Sequence, residues 1–255
     1  MKNIYLQVSK ILKLLSKMSE FCENKKSIND FFDFMNKHYC DDIHNITHKW
    51  IGYLSKYNKY KGQLSISDEE YDHFLELYTN ASKNMIMYLE EYPKDDHIFY
   101  INISISPCVD FTNDIIMKIV DICKKYIFYV LKIEVSCIYI CQKSNNSLLM
   151  YVPNIFIDNS THNIIIGKLV KTRALYKMFY PNAVTVHKLT DGSLMYNSCD
   201  TKDSKFLLKY VYKNNCLFNV DNDEIPKEFL IRYFSLRTKN NSDNIKEEIH
   251  IKIEK

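Results

Sequence analysis

The sequence predicts a mixed α+β protein in which helices flank a small twisted sheet. β-rich segments at 97–105, 133–141, 148–157 and 183–189 alternate with helical segments at 110–129 and 159–179. This strand–helix–strand–strand–helix–strand order is typical of a sheet covered by helices. Before residue 95, apolar residues recur mainly at helical spacing. We therefore expect a helical N-terminal layer at 1–95, an α/β core at 96–240 and a polar tail at 241–255, all within one compact domain. A helical bundle is the alternative fold.

The first segment has the pattern of an amphipathic helix. Its apolar residues share one helix face and its lysines occupy the other, so the helix either packs on its own domain or docks on a partner. At the other end of the chain, alternating isoleucines predict either an edge strand that binds a partner or a frayed tail. The helix face comprises Ile4, Val8, Ile11, Leu15 and Met18, and the tail carries Ile249, Ile251 and Ile253.

Helix starts and stops are readable in the rest of the chain. Hydroxyl and acidic side chains open helices at Ser27–Asp30 and at Ser65–Glu70, and the second helix is expected to run to Tyr92, before Pro93. Pro107 ends the first core strand, and Pro181 ends the last core helix. Asn145–Asn146 is expected to turn a hairpin between the second and third core strands.

Composition excludes several classes of protein. The net charge of +3 is too weak to predict a nucleic-acid-binding protein, although it permits contact. No apolar run reaches the roughly 18 residues of a membrane span, and lysines interrupt the N-terminal segment where a signal peptide would be apolar. We expect an intracellular protein without membrane contact, whose eight cysteines are free thiols. Cys137 and Cys141 share one strand face and are expected in the core.

The sequence contains no intact catalytic motif. With four glycines in the chain, no glycine-rich phosphate loop is present, which excludes ATP hydrolysis by a P-loop. Cys40, His44 and His48 are spaced four apart on a predicted helix, so all three would share one face. They are either a zinc site, with Asp41 or a distant cysteine as fourth ligand, or a solvated helix face.

Several short motifs occur in the order found in one known family. The chain resembles the archaeo-eukaryotic primase domain over roughly residues 70–240, and it is most similar to the primases of poxviruses, herpesviruses and other large DNA viruses. The motifs are Phe74-Leu-Glu-Leu-Tyr78, Tyr88-Leu-Glu-Glu-Tyr-Pro93, His97-Ile-Phe-Tyr-Ile-Asn-Ile-Ser104, Ser147-Leu-Leu-Met-Tyr-Val-Pro153, the pair Asp191 and Tyr196, and Phe234-Ser-Leu-Arg-Thr238.

The departures from that family concern its catalytic residues. The resemblance implies two divalent metals held by three carboxylates, with a histidine on the phosphates of the incoming nucleotide. Asn102 and Ser104 stand at the first two acidic positions, Leu149 stands at the histidine, and only Asp191 remains. The resemblance therefore implies a primase-like protein that has lost nucleotidyl transfer and needs no cofactor. Mg²⁺ or Mn²⁺ would bind only if the degenerate site still holds metal.

Two other interpretations of these positions stay open. Asn102 and Ser104 share a strand face with Tyr100, so they could be ordinary polar positions on a half-buried strand without primase ancestry. Alternatively, a different register would assign metal binding to acids at element ends, where capping is the more common role. Those acids are Asp95, Asp96, Asp110 and Asp114.

The resemblance also implies partners. We expect an accessory or scaffolding factor in viral DNA replication, in the host cytoplasm or nucleus, that binds a protein partner or a second copy of itself. Residual primase activity and an interaction module unrelated to replication are the alternatives. Weak binding of single-stranded nucleic acid is a further expectation, with Tyr100 or Tyr151 stacking on bases. The basic candidates are Lys168, Lys171, Arg173, Lys177, Lys205, Lys209 and Arg237.

Overall fold

The computed structural model describes residues 23–42, 45–51, 62–93, 96–107, 109–144, 146–188, 192–198, 205–220 and 225–237. Within these ranges the chain forms six helices and two antiparallel sheets, so the predicted α+β class is confirmed. In the same part of the chain, no helix combines the length and apolar character needed to cross a membrane.

The elements follow one another in a simple order. The helices are α1 (23–37), α2 (Asp68–Ser82), α3 (Asn113–Leu131), α4 (Asn159–Lys171), α5 (Ala174–Phe179) and α6 (Lys227–Tyr233). The strands are β1 (His48–Trp50), β2 (Gln63–Leu64), β3 (Leu89–Glu91), β4 (Asp96–Ser106), β5 (Cys137–Ser144), β6 (Ser147–Asp158), β7 (Ala183–Val186), β8 (Ser193–Leu194), β9 (Leu207–Lys213) and β10 (Cys216–Asn219).

The larger sheet has six strands in the order β10-β9-β5-β6-β4-β7. Alternation along β4 sends Ile101 and Ile103 to one face, where they pack with residues of α3, α4 and α5 such as Ile119 and Leu169. Two of these helices, α3 and α4, begin at side-chain caps. The Thr112 hydroxyl accepts the Ile115 N–H at 3.4 Å, and Asp158 Oδ1 accepts the Thr161 N–H at 2.7 Å.

The opposite face of the larger sheet is covered by the N-terminal layer. There, Tyr139, Leu149 and Tyr151 pack with aromatic side chains of α1, α2 and α6. The smaller sheet, in the order β2-β1-β3-β8, lies on the same side, and its strand β8, like the helix α6, comes from the 96–240 segment. Phe31 and Phe74, both at 0% exposure, are at the centre of this cluster, with ring centroids 6.3 Å apart. The larger sheet is therefore buried on both faces.

The N-terminal layer differs from the prediction in its secondary structure. The helix opened by Ser65–Glu70 ends at Ser82 instead of continuing to Tyr92, because Leu89–Glu91 pair with both β1 and β8 as the strand β3. The layer is thus part helix and part sheet. The chain is already helical at residue 23, upstream of the expected start at Ser27–Asp30.

The core elements match the prediction with shifted bounds. The predicted helix at 159–179 is two helices, separated at Arg173, whose φ of 54° is left-handed and interrupts the helix. Cys137 and Cys141 are buried on the same face, as predicted. The N-terminal face Ile4–Met18 and the isoleucine tail lie outside the described residues.

Candidate functional site

Asn102 and Ser104 lie on β4 between two neighbouring strands, on the face away from α3 and α4. Asn102 is directly opposite Leu149 of β6, and Ser104 is opposite Ser147 of β6 and Thr185 of β7. Residues that face each other across antiparallel strands lie on the same side of the sheet. The three degenerate family positions Asn102, Ser104 and Leu149 are therefore neighbours on the sheet.

A histidine that the sequence analysis did not select completes this group. His187 follows β7 directly and donates its backbone N–H to the Asn102 carbonyl at 2.9 Å. Its Nε2 lies 2.8 Å from the Ser104 hydroxyl, which also donates to the Ser147 hydroxyl at 3.4 Å. We call Asn102, Ser104, Ser147 and His187 the polar cluster. The position of His187 one residue after the apolar pair Val184 and Val186 was the available sequence signal.

Leu149 lies beside the polar cluster but belongs to the hydrophobic core. Its exposure is 0%, and it packs in the same cluster as Cys141 and Tyr151. A leucine has no hydrogen-bonding group, so it cannot contact a phosphate as a histidine would. The Asn102 Oδ1 atom is buried without a hydrogen-bond partner among the described residues.

The polar cluster consists of an amide, two hydroxyls and an imidazole, and these groups can exchange hydrogen bonds with a ligand. They do not fit two divalent cations, which the family holds with carboxylates, because none of the four side chains is an acid. Asp191 lies outside the described residues. We therefore derive no metal-dependent step at this cluster.

Tyr196, which follows Asp191 in the third motif, is a core residue. Its exposure is 3%, and its ring stacks on Phe234 with centroids 5.4 Å apart and an interplanar angle of 19°. Burial raises the pKa of the Tyr196 phenol above its ordinary value.

The closing segment Phe234–Arg237 joins the core to the N-terminal layer through a buried carboxylate. Glu91 of β3 accepts hydrogen bonds from the Tyr71 hydroxyl, from the Ser235 hydroxyl at 2.9 Å and from the Leu236 N–H at 2.8 Å. Burial raises the pKa of the Glu91 carboxyl, and these three donors, with Arg237 nearby, oppose that rise.

Arg237 contributes to this network with a buried side chain. Its side chain is 2% exposed, donates to the Ile66 carbonyl at 3.0 Å and to Asp68 Oδ1 at 3.0 Å, and covers the Tyr71 ring at 4.8 Å. A guanidinium engaged in this way cannot reach a nucleic-acid backbone. Burial, followed by the charge of Arg237, lowers the pKa of His48 well below its ordinary value.

The remaining basic candidates are on the protein surface, but not together at the polar cluster. Lys168 and Lys171 are on α4, Arg173 follows it and Lys177 is on α5. These helices cover the face of the sheet opposite the polar cluster. Lys205 and Lys209 are exposed before and on β9. Tyr100 and Tyr151 are each 3% exposed, so neither ring can stack on a base.

The proposed zinc residues do not share a helix. α1 ends before Cys40, and His48 is the fully buried first residue of β1, 3.9 Å from Glu91. His44 lies outside the described residues. The helix predicted to carry these three residues is therefore absent from their described part, because His48 pairs in the small sheet as part of β1. In the part of the chain that the structure describes, no group of three or more metal-ligating side chains is found.

The alternative acids are at element ends, as their sequence positions suggest. Asp96 is the exposed first residue of β4, eight residues from Ser104, and pairs in register with Asp158. Asp110 and Asp114 are exposed near the start of α3. Asp95 lies outside the described residues.

A helix-backed antiparallel sheet, with the first-motif positions on β4 and the second-motif position on the adjacent β6, defines a primase-like α+β protein. The family model described as C962R protein N-terminal AEP domain matches residues 55–212. AEP denotes the archaeo-eukaryotic primases, and the chain belongs to this family. No curated protein sequence matches the chain at a significant level.

Proposed function

We propose that this protein is a catalytically inactive member of the primase family that serves as an accessory or scaffolding factor in the DNA replication of a large DNA virus. The observation that carries the proposal is the pairing of Asn102 with the fully buried Leu149. These two residues stand where the resemblance implies a metal-binding acid and a phosphate-binding histidine.

Charge explains why this substitution abolishes the reaction. Two divalent cations carry four positive charges, and the family's three carboxylates and the nucleotide phosphates balance them. Asn102 and Ser104 are neutral, so at most Asp191 would contribute a negative charge from the family's metal-binding positions. His187 bonded to Ser104 adds no negative charge to the cluster. Metal affinity and transition-state stabilisation are lost together.

The retained architecture supports an accessory role. Both faces of the larger sheet are covered, and the Glu91 network locks the closing segment to the N-terminal layer. The protein keeps a defined surface while its catalytic positions have diverged. We infer that this surface positions a polymerase, a helicase or a second copy of the chain. The N-terminal helix face and the isoleucine tail remain the candidate contacts.

Primer synthesis on a single-stranded template tests the loss of catalysis. The full-length protein is incubated with Mg²⁺ or Mn²⁺ and nucleotides, with an EDTA blank and the variant Asp191→Ala as controls. We expect no product above the blank. EDTA-sensitive synthesis that Asp191→Ala abolishes would show that the degenerate site still works and would support the alternative function, a residually active primase.

Deletion of residues 1–20 or 240–255 tests the partner contacts. We expect at least one truncation to lose a partner that the full-length chain captures from infected cells, while circular dichroism shows that it stays folded. Two folded truncations that retain every partner would contradict contact through these ends.

A further inference from the structure

An exposed aromatic and basic surface lies on the helical side of the protein, away from the polar cluster. Tyr129 and Phe128, near the end of α3, are 57% and 47% exposed. Lys168 of α4 places its Nζ 4.3 Å from the centroid of the Tyr129 ring. Lys132 places its Nζ 5.2 Å from Tyr129 and 5.8 Å from Phe128. We call these four residues the α3 surface.

The α3 surface is held in a defined geometry. Lys132 is the C-cap of α3 with a left-handed backbone, and its N–H bonds the Phe128 carbonyl at 2.9 Å. This cap defines the backbone at the end of α3, from which both aromatic side chains extend. Neither Lys132 nor Lys168 forms an ion pair with a carboxylate in the described part of the chain. Their ammonium groups lie over the aromatic rings and are available to a ligand.

A groove of about 550 Å³ adjoins the α3 surface at Phe128 and extends toward the β9–β10 turn. Lys124 and Lys125 line it. Lys124 is oriented by the Tyr212 hydroxyl and by Asn215 Oδ1, the latter at 3.3 Å. The volume is within the range of small-ligand sites, about 300–1,000 Å³. Positive side chains thus continue from Lys168 and Lys132 into the groove.

We propose that the α3 surface binds single-stranded nucleic acid. A base stacks on Tyr129, and Lys132 and Lys168 move from the ring to the flanking phosphates while the strand continues into the groove beside Lys125. Exposed aromatic rings with nearby cations are the features that bind unpaired bases without sequence preference. An acidic peptide would use the lysines but has no flat group to match the rings.

The acids in the groove set the strength of this binding. Asp121 and Glu134 line the same groove and repel phosphate. The carboxyl end of α3 also carries partial negative charge. Four lysines against two acids leave a modest positive excess, so binding is weak and sensitive to salt. This site is independent of the polar cluster and of any nucleotidyl transfer.

Fluorescence anisotropy of a labelled thymidine oligonucleotide tests the proposal with the full-length protein at two salt concentrations. The stacking variant is Tyr129→Ala, with Tyr129→Phe as its conservative partner. The charge variant is Lys132→Ala with Lys168→Ala. Tyr180→Ala, at an 85% exposed tyrosine, and Lys227→Ala, at an exposed lysine of α6, are the matched controls.

We expect Tyr129→Ala to raise the Kd about five-fold or more. The Kd of Tyr129→Phe should stay within about two-fold of the wild-type value. In the double lysine variant, the slope of the logarithm of the association constant against the logarithm of the salt concentration should be shallower by about 1.4. Unchanged binding of Tyr129→Ala, or equal binding of a duplex, overturns base stacking. Oligoglutamate and unlabelled oligonucleotide are compared as competitors. If oligoglutamate displaces the labelled oligonucleotide equally well, the surface is instead assigned to acidic polypeptides. Absence of binding at low salt also overturns the proposal.

Discussion

The Ser235 hydroxyl donates a hydrogen bond to Glu91 at 2.9 Å, although the two residues are separated by 144 positions in the chain. Glu91 is 1% exposed and Ser235 is 2% exposed. The bond therefore joins the closing segment to β3, an inner strand of the small sheet, inside the protein. A buried carboxylate with several donors is stable only while the whole network forms.

Replacement of Glu91 tests this network. Glu91→Ala removes the acceptor of the buried Leu236 N–H and leaves the Tyr71 and Ser235 hydroxyls with only their mutual contact at 2.6 Å. We expect the free energy of unfolding, measured in urea, to fall by about 3 kcal/mol or more. Glu91→Gln retains an acceptor and should lose less. Glu69→Ala, at an exposed acid on α2, is the control. Equal small effects of all three variants would contradict the network's role.

Leu149 offers a test of the core beside the degenerate site. Since the side chain is fully buried, Leu149→Ala should lower the free energy of unfolding by about 2–5 kcal/mol. Leu149→His restores the residue type that the resemblance implies, but it buries an imidazole against apolar neighbours. We expect it to destabilise the protein and to produce no primer synthesis. Ile164→Ala, at a 49% exposed position, is the control. A stable Leu149→His variant would show that the position is open.

His162 makes stability depend on pH. Burial, with His97 Nε2 at 2.8 Å from its Nδ1, lowers the pKa of His162 from 6.5 to about 3. The folded state thus binds fewer protons than the unfolded state below pH 6.5, and stability falls as pH falls. Between about pH 7.5 and 5.5 this group should lower the free energy of unfolding by about 1.4 kcal/mol.

The comparison with His162→Phe reports the contribution of His162 together with its contact to His97, because the buried groups elsewhere are unchanged. The difference in unfolding free energy between wild type and variant should change across this range in the stated direction. Ile164→Phe, at a 49% exposed position without a titratable group, is the control and should keep the pH dependence of the wild type. A pH-independent difference between wild type and His162→Phe would show that His162 titrates normally in the fold.

The elements of the core were predictable because their signals are local. Apolar alternation with flanking prolines defines β4, and a long β-rich run defines β6. Thr112 and Asp158 cap the helices that follow these two strands. Short segments carried weaker signals. Leu89–Glu91 has helix-forming residues, but pairing with β1 and β8 overrides that propensity. The β9–β10 hairpin was missed, since its strands depend on pairing with β5 at the sheet edge.

The candidate site was predictable only in part. The motif order indicated Asn102, Ser104 and Leu149, and the structure places them side by side. His187 joins them through the antiparallel pairing of β7 with β4, which spacing along the chain does not encode. Contacts between segments distant in sequence also explain why Arg237, a basic candidate for nucleic-acid binding, was wrongly expected on the surface. Arginine is a residue type typical of surface contacts. The side chain of Arg237 is nevertheless buried against Tyr71, a residue far away in the sequence.

The sequence by itself determined the helix and strand order and the absence of acids at the first-motif positions, because periodicity, capping and residue identity are local properties. Only the tertiary structure decided which face each group occupies. In the folded protein Tyr100 and Tyr151 are buried, and Tyr129 is exposed between two lysines. Ser235 donates a hydrogen bond to Glu91. Those outcomes depend on strand register and layer packing, in which residues distant in sequence compete for the same buried volume.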